Sequence, residues 1–130
     1  MQDEPRPAEI LKAISVFLRG PASRESGQHI AFQLRVCANA AEIAQRQLDL
    51  APAEEAAEVA RLRALLAIDG DLPALNRELS KRIREDAITL ETPGLSEHLW
   101  ATTLAKLAVD QPTYSGYRAA LAERAPPKET

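Results

Sequence analysis

Aromatic side chains are scarce: two Phe, two Tyr and one Trp make up 4% of the 130 residues. A β-sandwich would use more aromatic and β-branched groups, so core building falls to Leu, Ala, Ile and Val, which favours helices packed through aliphatic stripes. The five glycines, Gly20, Gly27, Gly70, Gly94 and Gly116, are scattered. None forms a GxGxxG or Walker-type loop, which argues strongly against a nucleotide-binding α/β enzyme. GxSxG and HExxH are missing too. Neither His29 nor His98 has a Glu three residues before it, so the Glu-x-x-His pairs of di-metal bundles have no counterpart. The single cysteine, Cys37, cannot close an internal disulfide and suits a reducing compartment. Lys and Arg number 16 against 19 Asp and Glu, so the cationic surplus of a general nucleic-acid binder is absent. No run approaches the roughly 18 apolar residues of a membrane span. The opening MQDEPRPAEI has neither the basic nor the apolar region of a leader. These absences predict a cytoplasmic protein with no membrane segment, no nucleic-acid partner, no metal and no cofactor.

What remains is ordinary for a globular chain: 45% hydrophobic and 27% charged residues. Residues 1–7 read as an extended lead-in and about 125–130 as a frayed tail. Ile10, Ile14, Phe17 and Leu18 give a one-sided helical stripe over Ala8–Arg19, which GPASRESG interrupts. A second helix is predicted from Gln28 to Leu50. Ile30, Leu34, Cys37, Ala41, Ala44 and Leu48 line one side of it, and Phe32, Val36, Ala40 and Ile43 nearly the opposite side. A helix apolar on two sides is expected at the centre of a bundle. Pro52 fits the first turn of a third helix whose buried face is Val59, Leu62, Leu65 and Leu66. DGD at 69–71 stops that helix and offers Asp71 as the next N-cap. Leu72–Asp86 and Leu95–Asp110 supply two more helices, and Ser115–Arg124 a short last one. The expectation is a single all-α domain over residues 1–130, a bundle of five or six helices.

Two stretches carry the candidate site residues. Arg35, Asn39, Glu42 and Arg46 fall in one gap between the apolar stripes of the second helix. An unpaired buried guanidinium is costly, so Arg35 must reach solvent or find acceptors. The stripe is either an inter-helix polar network that fixes register, or a polar pocket or docking stripe. In TTLAKLAVDQPTYSGYR, Lys106 and Asp110 are one turn apart beside apolar positions, and Tyr114 and Tyr117 follow. The tyrosines either lock the C-terminal segment down or face a partner. Cys37 reads as a small core residue, His29 and His98 as exposed or capping histidines, and Arg77, Lys81 and Arg84 as a solvated basic face.

MQDEPRPAEILKAI, FQLRVCAN, GDLPALNREL, LNRELSKRI and TTLAKLAVDQPTYSGYR together resemble a bacterial family of small helical domains of unknown function. Members of that family are commonly encoded beside aminoglycoside-phosphotransferase-like kinases and acyl-CoA dehydrogenases. The resemblance transfers no catalytic residue. It implies an accessory role, as partner or regulator of a phosphotransferase-like kinase. The alternatives are an anionic-ligand-binding protein or minor enzyme using the Arg35/Asn39/Arg46 stripe, and homodimerisation through leftover apolar helix surface.

Overall fold

A computed structural model describes residues 6–124. The helices are α1 (Pro7–Phe17), α2 (Gln28–Leu66), α3 (Leu72–Arg84), α4 (Leu95–Asp110) and α5 (Ser115–Arg124). No strand occurs among the described residues, so the fold class is all-α. The chain forms two compact units, Met1–Pro52 and Ala53–Thr130.

In the first unit Pro7 sits in the opening turn of α1, where its missing N–H costs nothing, and the Arg6 N–H donates to Glu9 Oε2 at 2.8 Å. The expected lead-in therefore ends at Arg6; its first five residues lie outside the described part, as does the 125–130 tail. GPASRESG does not break the chain where expected. Leu18–Ala22 continues as a π-helical turn and Ser23–Glu25 as one more helical turn. Pro21 has no N–H to give, and the wider turn accommodates its ring. Ser23 and Ser26 hydroxyls donate to the Leu18 and Ala22 carbonyls at 2.9 and 2.8 Å, so these acceptors keep partners. The break comes at Ser26, which is extended. The chain then doubles back, and Ser15 and Arg19 both reach Glu42 on α2.

The seam of this helical hairpin is built from small residues: Ala8, Ser15, Ala31 and Ala38 are its buried positions. The central-helix expectation fails here. Phe32 is 60% exposed and Val36 55%, and Cys37, expected in the core, is also exposed. On α1 the one-sided stripe also points outward, with Ile14 at 44% and Phe17 at 58% exposed. Among the described residues of this unit, α2 is buried along its alanine line, Ala31 and Ala38, and not along either apolar stripe.

The helix expected to end near Leu50 runs on through Pro52 to Leu66 as part of one 39-residue helix. Pro52 removes one helical hydrogen bond, and the alanines and glutamates around it are good enough helix formers to outweigh that loss.

The second unit has a conventional core: Leu62, Leu66, Leu75, Leu79, Ile88 and Leu95, with Val59, Leu65 and Leu72 packed against them. Its punctuation follows the sequence closely. Asp71 Oδ1 accepts from Ala74 N at 2.8 Å, capping α3 as expected. Arg63 pairs with Asp69 at 2.7 Å beside the stop. Arg82 bonds both Glu78 and the Leu66 carbonyl, at 2.7 and 2.9 Å, tying α3 to the end of α2. Gly94 opens α4 in the left-handed region at φ 88°, where a Cβ is disfavoured. Trp100, Ile83 and Leu99 are exposed.

Candidate functional site

Arg35 and Asn39 lie one turn apart on the exposed surface of α2, and Arg46 is half-buried further along. The Arg35 guanidinium lies 6.0 Å from the centroid of the Phe32 ring, a loose stacking geometry. On this stripe Glu42 makes the bonds that join α2 to the preceding helical segment. Its Oε1 accepts from the Ser15 hydroxyl at 2.7 Å and from Arg19 at 2.8 Å. The Ser15 bond first, then Arg19 and the charge of Arg46, hold the Glu42 carboxyl below the usual glutamate range, against the opposing effect of partial burial. Thus Glu42 fixes the hairpin register while Arg35 and Asn39 face water next to exposed Phe32 and Val36.

The C-terminal candidates separate. Lys106 and Asp110 are exposed and form no ion pair with each other. Tyr114 is exposed and its carbonyl accepts from Arg118 N at 3.1 Å, opening α5, while Tyr117 is half-buried. Tyr114 lies over Gly116 so closely that a Cβ there would meet its ring at 2.7 Å. Arg77, Lys81 and Arg84 line a 490 Å³ groove on α3 with Pro73, Asn76 and Ser80.

A further cluster was not foreseen. His98, read from sequence as exposed or capping, is 3% exposed. Burial first, and the nearby Arg61 charge second, push its pKa down, while Glu58 acts the other way. The Nδ1 of His98, Nε of Arg61 and Oγ1 of Thr102 are buried without hydrogen-bond partners. Arg61 also lines a 210 Å³ cleft with Ala64, Leu65, Pro93, Gly94 and Glu97. Glu58 itself accepts from Asn76 at 3.0 Å. The signal was present: Leu95, His98, Thr102 and Val109 recur at i, i+3, i+7 and i+14, one helical stripe.

The profile described as "Domain of unknown function (DUF6285)" matches residues 24–114. The chain belongs to the DUF6285 family. No curated protein and no solved structure matches it. The DUF6285 match takes in α2, α3 and α4 with Arg35, Asn39, Arg46, Arg61 and His98, and leaves α1 and Tyr117 outside. Among the described residues no three His, Cys, Asp or Glu side chains are grouped to hold a metal ion. None of their helices is long and apolar enough to cross a membrane.

Proposed function

We propose that this DUF6285 protein is a non-catalytic accessory protein of bacteria whose partner is a phosphotransferase-like kinase. One observation carries the interaction role: Phe32 and Val36, 60% and 55% exposed, flank Arg35 and Asn39 on α2. Aromatic and Arg side chains are the types that concentrate binding energy at protein interfaces, and clustered apolar exposure marks such surfaces. The kinase as partner rests on the family resemblance of the sequence stretches quoted above. Co-expression with the adjacent kinase should give one complex by size-exclusion with light scattering. Phe32→Ala and Arg35→Glu should each weaken it about tenfold or more, the loss of a hot-spot contact. Two independent peaks at tens of micromolar would overturn the reading.

A second reading, anionic-ligand binding, is favoured by a different residue from those expected. Arg61 is half-buried, without an ion pair, and opens on a small cleft. An unpaired, partly desolvated guanidinium attracts a carboxylate or phosphate. A thermal-shift screen with acyl-CoAs, nucleotides and sugar phosphates tests it. A true ligand at a hundred times its Kd adds about 2.7 kcal/mol, and that gain should vanish in Arg61→Gln.

A further inference from the structure

We infer that two copies of this chain pair through the hairpin face carrying Ile10, Ile14 and Leu18 on α1 and its π-turn and Ile30, Leu34 and Leu48 on α2. This face lies on the other side of α2 from Arg35 and Asn39, so the inference goes beyond the kinase-docking role and does not depend on it. The hairpin is held by alanines, a serine and the Glu42 bonds, and its larger side chains are left over. Ile10, Ile14, Ile30 and Leu48 are all exposed, and Leu18 and Leu34 half-buried beside the seam. No charged residue interrupts either stripe, so the face suits an equally uncharged surface, and its own copy is one. Its size fits as well. Pro7 to Glu25 spans about 28 Å at 1.5 Å per residue, and two packed helices are roughly 20 Å across. The flat footprint is on the order of 550 Å² per copy, so two copies cover about 1,100 Å² in total, just above the roughly 1,000 Å² that a specific interface needs. Two such hairpins back to back make a four-helix arrangement with the apolar groups inside.

Light scattering on the isolated full-length chain at tens of micromolar should give twice the 14.2 kDa chain mass. Ile14→Glu and Ile30→Glu should each yield the monomer mass with unchanged helicity by circular dichroism, while Arg77→Glu on α3 leaves the dimer intact. A second readout needs no variant. Cys37, exposed in the single chain and on the same α2 stripe, should react more slowly with a thiol reagent as protein concentration rises. A monomeric wild type, a dimer that survives both glutamates, or a thiol rate independent of concentration would overturn the pairing. So would glutamate variants that remain monomer-sized like the wild type but lose thermal stability, because the face would then be covered within one chain.

Discussion

Ala67 and Asp86 hold left-handed backbone, at φ 54° and 55°, where residues with a Cβ are strained. Ala67 ends α2, a position glycine usually fills. Ala67→Gly should therefore stabilise the second unit by about 0.5–1 kcal/mol in chemical denaturation. An unchanged or lower midpoint would show that the strain is relieved elsewhere. His98 gives a pH dependence of definite sign. Its pKa is lower folded than unfolded, chiefly through burial, so the unfolded chain takes up the proton first. Stability is then full above the ordinary histidine range near 6.5 and declines as pH falls below it. Denaturation midpoints between pH 8 and 5.5 should slope downward in the wild type, and His98→Gln should flatten that slope. By contrast, Asp71 announced its role in the sequence, because a cap is decided by its immediate neighbours. Burial of His98 depends on α2 and α4 packing together, which a single-helix pattern does not specify, although its stripe with Leu95 and Thr102 was readable.

At the scale of elements, the starts of α3 and α4 and the end of α4 before Pro112 followed from caps and breakers. Two junctions did not. At Pro21 and Pro52 the local rule expects a stop, and both times the helical path continues. Around Pro52 the flanking APAEEAAEVA run supplies enough propensity to span the missing hydrogen bond. If that bond is a plain loss, Pro52→Ala should raise stability by as much as about 3 kcal/mol, seen as a higher thermal midpoint and greater helicity. A fall in stability would mean that proline stiffens the unfolded chain more than it weakens the helix. The hairpin has its own acid limit. Glu42 is held ionised by Ser15 and Arg19, and its contribution is lost as pH drops below the glutamate range. Amide exchange in α1 should accelerate there, well below the pH at which His98 begins to act, and Glu42→Gln should show the fast exchange already at neutral pH.

At the scale of the whole molecule, composition was informative about class and silent about partners. Few aromatics and aliphatic stripes led to an all-α fold. Periodicity identified both apolar sides of α2, yet it could not say how many neighbours would cover them. Buried alanines with exposed Phe32, Val36 and Ile14 make the first unit a surface in search of complements, in contrast to the leucine core of the second. Arg35 and Asn39 lie exposed beside Phe32 and Val36, and the proposed docking role rests on that placement. The most direct test is residue-resolved covalent footprinting of Phe32 in the free chain and with a phosphotransferase-like kinase, the proposed partner. The account predicts ready modification of Phe32 in the free chain and strong protection in the complex. Protection of Phe32 in the isolated chain at dilutions where it is monomeric would contradict it.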